Sequence, residues 1–279
     1  MKKIVTIQDI SCLGKCSLTV ALPIISACGV ETCSIPTASL STHTMFSGFT
    51  FTDLTDTMRP IKDHWVKEGF KFEAIYTGYL GSFEQIDIVK EYFETYSKTG
   101  AISIVDPVMA DNGKLYPAFD MAFVKKMATL CAVSDIIMPN LTEATFMLDK
   151  EYIPFGYTEE YIKDILVSLT NLGAKIAILT GVSFEKDKIG IMGYDSIKKE
   201  FFSYYNKKID AMYHGTGDIF ASTFVGAYIR GLDILKSLSI AADYTAKCIE
   251  ITKNDKNADT YGVQFELVLP ELIKLLENV

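Results

Sequence analysis

The run KIVTIQDISCLGKCSLTVALPIISACGVETCSI, residues 3–35, decides how the fold is read. Lys3–Ile7 is a short β-rich stretch and is predicted as a first strand. A segment rich in Ala, Leu and Ile then carries the chain to Cys28, and Gly29 marks a helix end. Glu31–Ile35 returns as a second strand. The same alternation recurs downstream. Ala74–Tyr76 is a short apolar strand, Phe83–Tyr96 has helical spacing, and Ala101–Val105 (AISIV) reads as a strand buried on both faces. Pro107 stops that strand from continuing as a central one, because proline cannot donate to a ladder. Further strands are predicted at Asp135–Met138 and Lys175–Leu179, each after a helical stretch. Alternation of this kind implies an α/β fold, a mostly parallel sheet with helices on both faces.

Beyond Gly181 the pattern changes. Lys188–Tyr194 and Glu200–Tyr205 read as a hairpin turning near Asp195-Ser196. Helices follow at Gly217–Arg230, Leu235–Lys253 and Phe265–Glu277. Within the first, IFASTFVGAYI (219–229) is apolar or small almost all round, as in a buried helix. No stretch has the composition of a linker, so residues 1–279 are read as a single domain.

Composition limits the functions open to such a domain. Hydrophobic residues make up 49% and charged residues 22% of 279, values of a globular chain rather than a disordered or collagen-like one. A net charge of -8 and a pI near 5.0 provide no general field for nucleic acid or anionic membranes. The N-terminal apolar run breaks at Gln8-Asp9, too early for a signal peptide, and no run is long enough to span a bilayer. Six scattered cysteines and three histidines build neither a disulfide framework nor a structural zinc site. The thiols are expected to be free and in the core, and the protein cytoplasmic.

Ligands of open parallel sheets bind beyond the carboxyl ends of the strands. Polar clusters fall there repeatedly: Gln8-Asp9, Thr77-Gly78-Tyr79, Asp106-Pro107, Pro139-Asn140 and Thr180-Gly181. A Walker A loop is excluded, since Asp9 and Cys16 stand where it needs Gly and Ser or Thr. A dinucleotide fingerprint at 215 fails at Phe220. Gly215-Thr216-Gly217-Asp218 still forms a helix N-terminus whose N–H groups favour negative charge, such as a phosphoryl group in flight. Asp218 is a candidate base for an attacking hydroxyl, or else a first-turn acid that only complements the helix dipole. Asn140 and Glu143 share a helix face; they hold a hydrated magnesium ion and its phosphates, or they form a capping box. Asp106 is either a further contributor or a strand-ending turn. Ser41-Thr42-His43-Thr44 reads as a polar loop and His64 as a surface residue.

Taken together, IQDISCLG (7–14), STHT (41–44), TGYLGS (77–82), DPVMAD (106–111), PNLTEA (139–144) and GTGD (215–218) resemble the ribokinase-like superfamily. Within it they resemble the pyridoxal/pyridoxamine kinases. GTGD carries the superfamily likeness, whereas STHT and TGYLGS point to the vitamin B6 branch. The likeness covers nearly the whole chain.

The resemblance implies ATP-dependent phosphorylation of the 5′-hydroxymethyl group of pyridoxal, pyridoxamine or pyridoxine. It makes Asp218 the catalytic base and Gly215, Thr216 and Gly217 the anion hole. Asp106, Asn140 and Glu143 would serve Mg–ATP, Asp106 and Glu143 as metal ligands, with Thr180, Lys208 and Ile209 beside the nucleotide. His43, Thr44 and Tyr79 would line the pyridine pocket together with Asp9. Many relatives have Ser at the place of Asp9, so a carboxylate here is free to meet the ring nitrogen, the 3-hydroxyl or an amine. Met138 stands where some relatives carry Thr near a monovalent cation, which leaves potassium use open. The family likeness also implies a homodimer, with no lid domain. The rival readings are a hydroxymethylpyrimidine kinase with the same chemistry on another ring, and a noncatalytic B6-binding regulatory protein. A sugar kinase would need a lid that the chain lacks.

Overall fold

A computed structural model describes residues 1–277. From the N-terminus, β1 (Lys3–Leu13), α1 (Leu18–Ala27), β2 (Glu31–Thr42), β3 (Phe51–Asp53) and α2 (Thr55–Lys67) follow one another. Next come β4 (Ala74–Thr77), α3 (Phe83–Ser97), β5 (Ile102–Val105), β6 (Ala110–Asp111), β7 (Lys114–Leu115) and α4 (Met121–Cys131). Then β8 (Ile136–Ile137), α5 (Leu141–Met147), α6 (Glu159–Asn171) and β9 (Ile176–Val182) precede the hairpin β10 (Lys188–Asp195) and β11 (Glu200–Lys207). The last elements are α7 (Thr216–Arg230), α8 (Ile234–Asn254), a 3-10 turn (Phe265–Val268) and α9 (Leu269–Glu277). The class is α/β with a mostly parallel sheet, as the alternation predicts. The chain packs as two compact units, residues 1–74 with 209 onward, and residues 75–208.

In the first unit β1 and β2 run parallel, and β3 adds antiparallel to β2. Both long strands extend past their predicted ends at Ile7 and Ile35, taking in Gln8-Asp9 and Ser41-Thr42, which read as polar clusters outside the strands. The reason is mutual pairing: Ile10 faces Ser39, Ser11 faces Leu40 and Leu13 faces Thr42. The register shifts between Gln8 and Ile10, where Asp9 stands against two residues of β2, Thr37 and Ala38, so the bulge lies on β2; Pro36, with no N–H to give, sits opposite Gln8. Helices α1, α7, α8 and α9 share a core built from Val20, Ile24, Ile219, Tyr244, Phe265 and Leu272. Every residue of α7 from Ile219 to Ala227 is buried, as its apolar run predicts. Close approach of α1 and α7 needs Gly226, where a Cβ would lie 2.6 Å from Cys28 Sγ. The helix predicted from Phe265 begins instead as the 3-10 turn, and α9 starts only at Leu269, with Pro270 in its first turn where no N–H is needed.

In the second unit the strand order is β11-β10-β9-β8-β5-β4. β5, β8 and β9 pair in parallel, and β10 and β11 complete the row antiparallel. β9 runs on through Thr180-Gly181, predicted to lie beyond it, because β10 pairs along its edge. Gly181, at φ +73°, is the extra residue of a bulge there. The β6–β7 hairpin, absent from the sequence reading, turns at Asn112-Gly113, both at positive φ (50° and 75°).

All six thiols are free. Cys28, Cys131 and Cys248 lie in the core as expected, whereas Cys12 is exposed because it alternates with buried Ser11 along β1. Among the described residues, no helix is long and apolar enough to cross a membrane.

Candidate active site

In the first unit Asp9 of β1, residues 14–17 and the start of α7 meet. Gly215, in the left-handed region at φ +77°, caps α7, and a Cβ on it would lie 1.7 Å from the Lys15 carbonyl oxygen. Ile219 N–H bonds back to the Gly215 carbonyl at 3.0 Å, which leaves the N–H groups of Thr216, Gly217 and Asp218 without intrahelical acceptors. The space over Gly217 is open. This is a helix end of the kind that takes an anion.

Asp218 is partly accessible, yet enough protein surrounds its carboxyl that lost hydration pushes its pKa up to about 7. A hydrogen bond from the Ser17 backbone N–H opposes that shift, and the charge of Asp9 adds to it. Asp9 is itself buried, and burial raises its carboxyl despite hydrogen bonds from Ser17 and from Ser11 Oγ at 3.3 Å. Among the described residues neither carboxylate has an ion-pair partner. The Cys16 thiol beside them is pushed up to about 12, first by burial and then by the charges of Asp218 and Asp9, so it stays protonated and unreactive. The sequence reading missed Ser11, Cys16 and Ser17 as members of this group. Their one signal was position, in or just after IQDISCLG.

His43 is fixed rather than loose in a polar loop. Met45 N–H points at Nδ1 at 3.3 Å, which leaves the proton on Nε2 to be donated to the Tyr261 carbonyl at 3.1 Å. The ring packs against Phe46 and His214, with centroids 4.9 and 5.2 Å away, and over Gly14, where a Cβ would come within 2.8 Å of it. Thr44, next along the turn, is exposed.

The second unit gathers a different set. Asn140 and Glu143 form a complete capping box at the start of α5. Glu143 is buried, and burial pushes its pKa up to about 8 against hydrogen bonds from the backbone N–H groups of Asn140, Met109 and Ala110. Thr180 joins Asn140 through an isolated parallel bridge, with Thr180 N–H bonded to the Pro139 carbonyl. Asp106 is half-buried one residue past β5, its N–H on the Thr77 carbonyl at 2.9 Å. Tyr79 is half-buried, 5.5 Å from the Phe119 ring. Lys208 N–H bonds to the Asp187 carbonyl at 2.7 Å, and the Ile209 carbonyl accepts from Ala211 N–H at 2.8 Å. Among the described residues no three His, Cys, Asp or Glu side chains cluster to hold a metal ion.

The family model described as phosphomethylpyrimidine kinase matches residues 22–262. A Bacteroides thetaiotaomicron protein provisionally named a phosphomethylpyrimidine kinase is 38% identical in structural superposition. Its TM-score is 0.93, covering 97% of this chain and 93% of that one. A second crystal form of the same protein contains pyridoxal. Pyridoxal kinase from Lactobacillus plantarum is 28% identical with a TM-score of 0.89, covering 100% and 99%. A hydroxymethylpyrimidine/phosphomethylpyrimidine kinase of Aquifex aeolicus is 26% identical over 72% of this chain and 74% of its own.

Proposed function

This chain belongs to the phosphomethylpyrimidine kinase family and is a kinase, and we propose that its acceptor is a B6 vitamer, phosphorylated by ATP on the 5′-hydroxymethyl group. The observation that carries the chemistry is Asp218, a carboxylate with its pKa raised to about 7 in the first turn of a helix whose N–H groups are open. A base poised near neutrality removes the proton from the attacking hydroxyl, while the backbone of Gly215, Thr216 and Gly217 stabilises charge on the phosphoryl group. Phosphoryl transfer asks mainly for positioning and charge neutralisation, which these groups supply.

His43, Thr44, Tyr79 and Asp9 are the proposed acceptor contacts. Asp106, Asn140, Thr180, Lys208 and Ile209 are those for the nucleotide. Magnesium, when bound with ATP, neutralises the phosphates. Asp106, a half-buried carboxylate just past β5, is of the donor type such an ion takes. The B6 reading over the pyrimidine one is supported by STHT, TGYLGS and the full-length likeness to the Lactobacillus pyridoxal kinase. Hydroxymethylpyrimidine remains the second reading, favoured by the family model and the Aquifex relative.

The test is ADP release from Mg–ATP with pyridoxal, pyridoxamine, pyridoxine and hydroxymethylpyrimidine, run beside Asp218→Asn. Turnover of a vitamer that vanishes in the variant is the expected result. Preference for the pyrimidine hands the acceptor to the second reading and leaves the base in place. No turnover of any of the four overturns both.

A further inference from the structure

Glu143 is only 2% exposed, and its carboxylate is occupied by backbone. One oxygen accepts the Asn140 N–H at 2.9 Å. The other accepts the N–H groups of Met109 at 3.0 Å and Ala110 at 3.4 Å. Asn140 adds a bond from Nδ2 to the Ala110 carbonyl at 2.7 Å, while its Oδ1 accepts the Glu143 N–H at 3.0 Å. Thr142, in the same helical turn and as deeply buried, accepts the Gly113 N–H on Oγ1 at 2.9 Å. Gly113 is closed off on another side by Tyr152, whose ring would lie 2.9 Å from a Cβ there.

A capping box requires only the reciprocal bonds between Asn140 and Glu143. The bonds reaching across to Met109, Ala110 and Gly113 go beyond it, and they tie the first turn of α5 to the segment that leads from Asp106 into the β6–β7 hairpin. A magnesium ion keeps several waters and takes carboxylate oxygens that face it. Glu143 turns both oxygens to backbone N–H groups in a buried site, so it does not fit the ligand role that the family resemblance implies.

We propose that Glu143 is a positioning residue that pins the segment 106–113, and with it the Asp106 carboxylate, to the start of α5, and that it does not ligate the metal. The nucleotide side of this inference rests on the reading of the chain as an ATP-dependent kinase; the pinning itself does not.

The experiment uses Glu143→Gln and Thr142→Val in the full chain, with two readouts. One is binding of a fluorescent ATP analogue in magnesium and again in EDTA. The other is backbone amide exchange at Met109, Ala110 and Gly113. Glu143→Gln is expected to weaken analogue binding roughly tenfold, by the same factor with and without metal, and to speed exchange at Met109 and Ala110. Thr142→Val, which never carried a carboxylate, is expected to shift binding in the same direction and to speed exchange at Gly113. Loss of binding confined to magnesium, with unchanged exchange, overturns the proposal and restores Glu143 as a ligand. Should Glu143→Gln not fold, Thr142→Val decides alone, and unchanged exchange at Gly113 with unchanged binding overturns it. Failure of the unmodified protein to bind the analogue at all counts against the ATP reading, while the exchange rates still decide the pin.

Discussion

Gly215 and the Lys15 carbonyl are so close that a methyl group on residue 215 would lie 1.7 Å from that oxygen. The backbone of residues 14–17 therefore rests directly on the cap of α7, and φ +77° at Gly215 excludes other residues a second time. Gly215→Ala is expected to lower stability by more than about 1 kcal/mol. It should also displace the N–H groups proposed to receive the phosphoryl group. Thermal melting and kcat are the measurements. A variant that melts and turns over like the unmodified protein would show that this contact positions nothing.

The role of base proposed for Asp218 predicts a pH profile. Asp218 must be ionised to accept a proton, and its folded pKa is raised to about 7. Activity should therefore fall with a slope of one as pH drops through about 7. Stability runs the other way. The folded protein holds the Asp218 proton more tightly than the unfolded chain, so this group's contribution is fully present below about 4 and is lost as pH rises through about 7. Asp218→Asn should abolish turnover and raise the melting temperature more at pH 8 than at pH 5. An equal shift at both pH values would mean that the folded carboxyl is not raised.

Asp9 acts on the same group by charge. Removing it with Asp9→Ser takes away a repulsion that raises Asp218, so the acidic limb of the activity profile should move to lower pH. The same change removes a buried carboxylate that no cation among the described residues balances. If that carboxylate receives the amine of pyridoxamine, the ratio of kcat/KM for pyridoxamine to that for pyridoxal should fall in the variant. Equal ratios in both proteins would remove Asp9 from acceptor choice, whatever happens to the pH limb.

Much of this site was legible because helix starts and apolar periodicity are local. The two glycines and the acid at 215–218, followed by an apolar run, locate the start of α7 to within one residue. Strand lengths were less legible. β1 and β2 continue through polar residues because each supplies the other's hydrogen bonds, a tertiary fact that no window of sequence contains. The β6–β7 hairpin has a local sign, Asn112-Gly113, but its strands are only two residues each and show no alternation to accompany it. Glu143 shows the limit most plainly. Its spacing from Asn140 announces a capping box, but its bonds to Met109 and Ala110 bridge more than thirty residues. Nothing in N-x-x-E distinguishes a residue that grips backbone from one that meets an ion.

A last prediction separates folding from chemistry in the first unit. The Tyr244 hydroxyl donates to the Phe265 carbonyl at 3.0 Å inside the core shared by α1, α7, α8 and α9. Tyr244→Phe keeps the ring and strands a buried carbonyl, at a cost of about 1–3 kcal/mol. For a chain of this size that lowers the melting temperature by roughly 2 °C or more. The bond joins α8 to the 3-10 turn at Phe265 and touches none of Asp9, His43 or Asp218, so kcat and both KM values should stay within about twofold at 25 °C. A variant with unchanged melting would mean that water satisfies the Phe265 carbonyl. A large fall in kcat without a change in melting would instead mean that the turn at Phe265 sets the position of Lys15, which bonds Glu266 in that turn at 2.8 Å, and through Lys15 the cap of α7.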